Sequence, residues 1–266
     1  MVKTNYTALA MRPEEIVVCT ALDAGNYPAE YLERVNKILE NINDGKHREQ
    51  VRSTLGAFQS GNDRKLAQSS PYRLVVLQEI LPEGKVIAFR PKIQTAKEGD
   101  DNFMSGFYVD FGLNLVSSPN GYSVNKFVAE ALASDLKEVG IDLKDAKLIP
   151  YRVLTKEVSK ESPSGLVFRL SSQGKDIAKK DILNTGDFKW NYQPSSSGLF
   201  RAYLYSFGNW YAGDGGLGDS NDIGRVVVEA TGEASSLELI GLKKEIETFF
   251  ESQRKERENL VRRLQA

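Results

Sequence analysis

Four short β-rich runs in the second half of the chain constrain the fold more than any other feature. They are AKLIPYRVL, GLVFRLS, LFRAYLYS and GRVVVEA, and turn-prone residues separate them. No long helical pattern separates them, whereas a doubly wound parallel sheet needs a helix between successive strands. We therefore expect an α+β fold with a mixed or antiparallel β core from about Tyr72 to Ala230.

One strong helical pattern precedes these runs, and another ends the chain. In residues 124–140, VNKFVAEALASDLKEVG, apolar residues recur at three- and four-residue spacing, and Gly140 stands where a C-terminal cap belongs. Residues 235–266 predict a long C-terminal helix that docks on its own domain. The apolar seam at 236–264 leaves homo-oligomerisation or docking to a partner as alternatives, although its heptads are too irregular for a coiled coil.

The N-terminal part of the chain is predicted to be helical. Pro13 suits the first turn of a helix that runs through EEIVVCTALDAG to Gly25. Pro28 starts a second helix with one apolar face, and a third, short helix carries Val51, Leu55 and Phe58 and ends at the turn signal of residues 61–63. The predicted organisation is an N-terminal helical region (1–68), an α+β core (69–234) and a C-terminal helix (235–266).

The segment before the central helix has the composition of strands. YRLVVLQEIL (72–81) and KVIAFRPKIQTA (85–96) flank the turn signal PEG at 82–84, which predicts a β-hairpin. In FYVDFGLNLV (107–116), apolar and other residues alternate with a period of two, and this predicts a further strand.

The chain contains one cysteine, Cys19, and one histidine, His47, so neither an intrachain disulfide nor a Cys/His zinc site can form. We expect Cys19 to be an inert thiol in an apolar helix, and His47, within DGKHREQ, to lie on the surface. The net charge of −1 lacks the basic excess of proteins that hold a polyanion. No stretch has the apolar length of a signal peptide or a membrane span, and we expect a cytoplasmic protein.

No complete catalytic or cofactor motif occurs in the sequence. GDGGLG at 213–218 is rich in glycine, but neither Lys-Ser/Thr nor a long helix follows it, as a phosphate-binding loop requires. No spacing marks two of the 36 acidic residues as an acid–base pair. Asp214, Asp219 and Asp222 offer oxygen ligands for calcium, but their spacing does not fit an EF-hand loop, and a polar surface loop is the simpler interpretation. We expect a protein without enzymatic activity, metal or cofactor.

Residues 198–230, GLFRAYLYSFGNWYAGDGGLGDSNDIGRVVVEA, combine scaffold and binding residues. Apolar residues such as Leu199, Leu204 and Val226 have the spacing of a framework, and Tyr, Ser, Asn and Asp stand between them. Tyr and Trp supply contact area at low entropic cost, and Ser, Gly and Asn supply adaptable hydrogen bonds. The alternative is an ordinary polar loop between two strands. The predicted ligand-binding residues are Tyr203, Tyr205, Asn209, Trp210, Tyr211, Asp214, Asp219 and Asn221.

A set of framework residues accompanies these polar positions: Arg201, Trp210, Leu217, Ser220, Gly224, Arg225 and a closing valine-rich strand. With this framework, residues 198–234 resemble the variable segment of proteins diversified by retroelements. In that family, mutagenesis directed at adenines in Asn-type codons places Asn, Tyr, Ser and Asp at scattered sites. The resemblance implies a C-type-lectin-like fold that displays a varied, ligand-binding surface.

Three functional hypotheses follow from the sequence. The first is a non-enzymatic protein that binds a protein or another macromolecular ligand through residues 203–222. The second is a subunit of a larger assembly, such as a phage-like particle, that docks through its terminal helices. The third is a binder of single-stranded nucleic acid, with bases stacked on the aromatic residues of FRAYLYSFGNWY and FKWNYQ. The basic residues that this third hypothesis uses are Arg73, Arg90, Lys92, Lys189 and Arg201.

Overall fold

The computed structural model of the chain describes residues 16–19, 29–56, 69–205, 207–219 and 223–230. The helices in these ranges are α1 (Ala29–Glu40), α2 (Gly45–Leu55), α3 (Pro71–Gln78), α4 (Arg90–Gly99), α5 (Lys126–Glu138) and α6 (Ser172–Asp181). The strands are β1 (Ile16–Cys19), β2 (Lys85–Ile87), β3 (Tyr108–Val116), β4 (Lys147–Ile149), β5 (Leu154–Val158), β6 (Leu166–Leu170), β7 (Leu183–Asn184), β8 (Gly198–Leu204), β9 (Trp210–Asp214) and β10 (Gly224–Ala230).

Eight of these strands form one sheet in which β3 is central. β8 pairs antiparallel with one edge of β3. The other edge of β3 pairs in parallel with β10 and antiparallel with β4. The sheet extends from β8 to β9 and from β4 to β7, and both β1 and β2 pair antiparallel with β10. Strands β5 and β6 form a separate hairpin. The predicted α+β fold with a mixed sheet is therefore confirmed.

The sheet carries a hydrophobic cluster on each face. Successive residues of a strand point to opposite faces, and in β10 Val226 and Val228 belong to one cluster while Val227 belongs to the other. The larger cluster packs the sheet against α1, α2, α3, α5 and α6. The smaller cluster packs the other face against α4. Five of the six described helices therefore share one core.

The predicted helix from Pro13 to Gly25 is wrong over residues 16–19, which form strand β1. This strand pairs antiparallel with residues 226–229 of β10. Ile and Val are β-branched, which restricts their side chains in a helix and suits a pleated sheet. Cys19 therefore lies in a strand and not in the apolar helix that we expected. Such a short apolar run has no period that separates helix from strand.

The predicted hairpin over residues 72–96 is also wrong. Its first half lies in α3, where every residue from Pro71 to Leu77 is buried. A helix that is buried all round has no amphipathic period, so its valines and leucines imitate a strand. The second half contains only the three-residue strand β2, after which Pro91 stands in the first turn of α4.

Three predicted helices are confirmed. Val35 of α1 and Val51 and Leu55 of α2 are fully buried, as their spacing predicts. The central helix is α5, and Gly140 follows it with a φ of 77°, the left-handed conformation of a C-terminal cap. No helix in the described ranges combines the length and the hydrophobicity that spanning a bilayer requires.

The sequence did not predict α6, and its prediction of a C-terminal helix cannot be compared with the structure. α6 reads SQGKDIAKKD and lacks an apolar stripe, but the Ser171 hydroxyl accepts a hydrogen bond from Gly174 N at 2.8 Å and caps its first turn. The predicted C-terminal helix at 235–266 lies outside the described residues. The predicted domain boundaries stay a prediction.

His47 is only 6% exposed, so the predicted surface position is wrong. It lies in the first turn of α2, where its backbone N–H donates to Asp44 Oδ1 at 3.0 Å. Its Nε2 lies 3.1 Å from the carbonyl oxygen of Gly165, in the turn before β6. His47 and Gly165 are 118 positions apart, so the charged residues next to His47 in the sequence give no indication of this contact.

Candidate functional site

Six of the eight predicted ligand-binding residues lie in the β8–β9 hairpin at one edge of the sheet: Tyr203, Tyr205, Asn209, Trp210, Tyr211 and Asp214. Tyr203 pairs with Tyr211, and Leu204 pairs with Trp210. At the tip, the backbone N–H of Tyr205 donates to Asn209 O at 2.8 Å. Because side chains alternate along a strand, the hairpin presents two different faces.

One face of the hairpin carries five aromatic rings in contact, which we call the tyrosine patch: Tyr192, Tyr203, Tyr205, Phe207 and Tyr211. The rings of Tyr203 and Tyr211 stack with centroids 5.3 Å apart, and Tyr192 lies 6.0 Å from Tyr211. Tyr205 contacts Tyr203, Tyr211 and Phe207 at centroid distances of 5.8 to 6.3 Å. Phe207 is 84% exposed and Tyr192 is 50% exposed. The patch is therefore a continuous set of rings: the two at its ends are exposed, and Tyr203, Tyr205 and Tyr211 between them are half-buried.

Trp210 lies on the opposite face of the hairpin from this patch. Its ring packs against Phe111 of the smaller hydrophobic cluster, with centroids 5.6 Å apart. The Arg90 guanidinium carbon lies only 3.6 Å from the centroid of the Trp210 ring. The structure therefore brings Tyr203, Tyr205 and Tyr211 together and places Trp210 elsewhere.

A buried ion pair fixes the base of the hairpin. Arg201 of β8 and Asp110 of β3 are 4% and 0% exposed, and two guanidinium nitrogens donate to the carboxylate at 2.9 and 2.7 Å. Burial by itself lowers the pKa of Arg201, but the Asp110 carboxylate outweighs burial and raises that pKa. Ser69 also donates to Asp110, at 2.8 Å. This network holds β8 firmly against β3.

The same arginine positions the loop after β9. Arg201 Nη1 donates to the carbonyl oxygen of Asp219 at 2.9 Å, and Leu217 is buried beside this contact. Arg201 and Leu217 are therefore both buried, and the side chain of Arg201 holds the backbone at Asp219.

The remaining predicted residues have different positions. Asn209 is half-buried in the hairpin turn, and the side chain of Asp219 is exposed. Asp214 is the last residue of β9. Its side chain and the whole of Asn221 lie outside the described residues. Across the described ranges, no group of three His, Cys, Asp or Glu side chains is placed to hold a metal ion.

The basic residues of the nucleic-acid hypothesis do not form a surface patch. Arg73, Arg90 and Arg201 are 9%, 2% and 4% exposed. Lys92 is half-buried and Lys189 is exposed. Three of the five cations are therefore buried, and the five do not form a surface along which a phosphate backbone could lie.

Two members of the tyrosine patch were not among the predicted ligand-binding residues, although both lie in the aromatic stretches of the nucleic-acid hypothesis. Tyr192 comes from FKWNYQ and joins the hairpin through an isolated bridge to Tyr211. Phe207 precedes Gly208, which adopts a φ of 80° in the hairpin turn. An aromatic residue directly before a turn glycine is the one local signal that pointed to Phe207.

Comparison of the chain with protein-family models, with curated proteins and with solved structures found no match.

Proposed function

We propose that this protein binds a partner protein through the tyrosine patch and has no enzymatic role. The observation that carries the proposal is the continuous set of ring contacts from Tyr192 to Phe207, both of which are exposed. Large apolar rings are normally withdrawn from water, and a contiguous exposed group of them marks interaction surfaces.

The composition of the patch suits recognition of a protein. Four of its five members are tyrosines, whose rings offer large contact area while their hydroxyls form hydrogen bonds. Tyrosine is also enriched among the residues that dominate the binding energy of protein interfaces. A partner with a groove or loop that accepts Phe207 fits this surface best.

The patch is supported by a rigid base, which favours tight binding. Each of its rings contacts at least one other, and the Arg201–Asp110 pair fixes β8 beneath them. Side chains that are already held in place lose less conformational entropy on binding. The proposed partner therefore meets a largely preformed surface.

A protein partner is favoured over a nucleic acid by the distribution of charge. Three of the basic residues that would hold a phosphate backbone are buried, and the net charge of the chain is −1. Binding of single strands depends on accessible cations beside the stacking rings. The assembly-subunit hypothesis and the cytoplasmic location stay predictions of the sequence.

Selection of displayed random peptides on the wild-type protein, followed by titration of the best peptide against variants, tests the proposal. We expect Tyr205→Ala and Tyr211→Ala each to weaken binding roughly tenfold or more, or about 1.4 kcal/mol. Phe127→Ala is the matched control, because Phe127 is an exposed ring (45%) on α5 outside the patch.

Three results contradict the proposal. In the first, a folded Tyr211→Ala variant binds the selected peptide as tightly as the wild type. In the second, Phe127→Ala weakens binding as much as the patch variants do. In the third, a labelled single-stranded oligonucleotide binds with strong salt dependence and loses affinity in Tyr211→Ala, which favours the nucleic-acid hypothesis instead.

The resemblance to retroelement-diversified segments adds a genetic test, and we propose that the patch is the diversified surface. Sequencing the gene from a natural population should then show substitutions at Tyr203, Tyr205 and Tyr211, with Trp210 and Arg201 constant. Substitutions spread evenly over buried and exposed positions would exclude diversification. The binding experiment would still test whether the patch binds a partner protein.

A further inference from the structure

Arg90 is a buried arginine enclosed by aromatic rings. It is 2% exposed, although it begins α4 at the edge of the smaller cluster. Its guanidinium carbon lies 3.6 Å from the ring centroid of Trp210 and 4.4 Å from that of Trp190. Phe188 and Phe111 follow at 5.1 and 5.7 Å. Rings attract a cation but do not neutralise it.

The hydrogen bonds of Arg90 are incomplete. Its Nη2 donates to the carbonyl oxygen of Lys189 at 3.0 Å, and its Nε donates to Gln94 Oε1 at 3.4 Å. Its Nη1 is buried without an acceptor. Both acceptors are neutral, and no carboxylate of the described residues forms an ion pair with the guanidinium.

This cation keeps its charge at neutral pH. Burial lowers the pKa of the Arg90 guanidinium to about 9, which still leaves it protonated at pH 7. A buried charge normally has an opposite charge beside it, because an uncompensated one is strongly destabilising. The unpartnered guanidinium therefore indicates that an anion is needed here.

A cavity lies beside this guanidinium. Its volume is about 720 Å³, within the range of pockets that hold small molecules, and Arg90, Phe188 and Trp210 line it. Three cations and three anions contribute to its walls, so its lining has no excess charge: Arg90, Lys97, Lys189, Glu98, Asp101 and Asp187.

We propose that this cavity binds a small organic molecule that carries a single carboxylate. One carboxylate oxygen accepts a charge-assisted hydrogen bond from Nη1 of Arg90, the guanidinium nitrogen that has no acceptor in the protein. The apolar body of the molecule lies against Phe188 and Trp210. A multiply charged anion such as phosphate is disfavoured, because three carboxylates share the cavity wall. This inference does not rest on the tyrosine patch, which lies on the other face of the hairpin.

The two tryptophans of the chain, Trp190 and Trp210, both surround Arg90, so intrinsic tryptophan fluorescence reports on this site alone. Benzoate is the probe, and benzamide, which has the same ring and shape but no charge, is its matched control. We expect benzoate to change the emission saturably, and benzamide and inorganic phosphate to leave it unchanged at the same concentrations.

Variants test the role of the arginine. Arg90→Gln should weaken benzoate binding roughly tenfold or more, as the loss of charge-assisted hydrogen bonds predicts. Lys144→Gln, a neutralisation at a side chain that is 87% exposed, should bind benzoate like the wild type. Thermal unfolding shows whether each variant is folded.

The comparison of benzoate with benzamide and phosphate on the wild-type protein tests the proposal even if Arg90→Gln does not fold. Equal responses to benzoate and benzamide, or no saturable response to benzoate, would overturn the proposal. A saturable response to phosphate without one to benzoate would overturn the carboxylate assignment. Unchanged benzoate affinity in a folded Arg90→Gln variant would also overturn it.

Discussion

Trp210 and Tyr211 are consecutive residues of β9, and their side chains lie on opposite faces of the β8–β9 hairpin. The ring of Trp210 covers the Arg90 guanidinium at 3.6 Å, and the ring of Tyr211 stacks on Tyr203 with centroids 5.3 Å apart. A single strand therefore forms a wall of the cavity on one face and part of the tyrosine patch on the other. Substitution of Trp210 therefore affects the cavity, and substitution of Tyr211 affects the tyrosine patch.

The first prediction compares these two neighbours. Trp210→Ala should lower the free energy of unfolding by about 2 to 3 kcal/mol, because the ring packs on Phe111 and Arg90 and its loss leaves a cavity. Tyr211→Ala should lower it by about 1 kcal/mol or less, since its half-buried ring stacks on Tyr203 and belongs to neither hydrophobic cluster. Urea-induced unfolding measures both. Equal losses would show that the two faces are not energetically distinct.

The second prediction concerns the ion pair beneath the hairpin. Asp110→Asn should lower the free energy of unfolding by about 3 to 5 kcal/mol, because Arg201 would then be buried without a counter-charge. Lys144→Ala is the control, since its contact with Asp142 is exposed and worth about 0.5 kcal/mol or less. Chemical denaturation of both variants gives the comparison. A loss below about 1 kcal/mol in Asp110→Asn would contradict the prediction.

The third prediction concerns acid stability and Glu79. Lys156 Nζ donates to its Oε1 at 2.7 Å, and Arg34 Nε donates to its Oε2 at 2.9 Å. Burial raises the pKa of Glu79, but these donors outweigh burial and hold that pKa below its usual value of 4.5. A carboxyl whose pKa is lowered by folding stabilises the protein above its unfolded pKa, and this contribution disappears as the pH falls through the folded pKa.

Glu79→Gln should therefore lower stability at pH 7 and flatten the decline of stability below about pH 4.5. Thermal unfolding between neutral and acidic pH measures this, and Glu83→Gln, at an exposed position, should reproduce the wild-type curve. If Glu79→Gln shifts the whole curve without changing its slope, the lowered pKa is not the cause of the acid sensitivity.

The fourth prediction compares two glycines around the loop after β9. A Cβ at Gly224 would lie 2.7 Å from Ser69 N and 2.7 Å from Tyr108 Oη, so Gly224→Ala should lower the free energy of unfolding by about 2 kcal/mol. A Cβ at Gly218 would meet nothing within 4 Å, and Gly218→Ala should change it by about 0.5 kcal/mol at most. Calorimetry of the two variants tests this pair. Equal stability would mean that the close approach at Gly224 relaxes without loss.

The helices that the sequence predicted correctly have one apolar face and one polar face. α1 and α5 show this pattern, and their buried residues follow the helical period. α3 is buried all round and therefore carries no such contrast. Strand β1 is specified by its partner in β10, which is distant in the sequence, and a local window contains no trace of that partner.

The candidate site was predictable in part. Tyr203, Tyr205 and Tyr211 were predicted and lie together. Adjacent residues of a strand cannot share a face, so Trp210 could not join Tyr211 once β9 was known to be a strand. The surroundings of Arg90 come from β3, β9 and the segment after α6, and no single stretch of sequence contains them.

The position of β10 in the sheet affects how the protein is made. β10 is the last described strand, yet β1, β2 and β3 all pair with it, and Cys19 of β1 meets Val226 across 207 residues of sequence. On the ribosome, β1 emerges long before its neighbour in the described sheet exists. Contacts between such distant segments slow folding and prolong the exposure of unpaired strand edges. The nascent chain therefore carries an apolar strand without its partner until residues 224–230 have been synthesised.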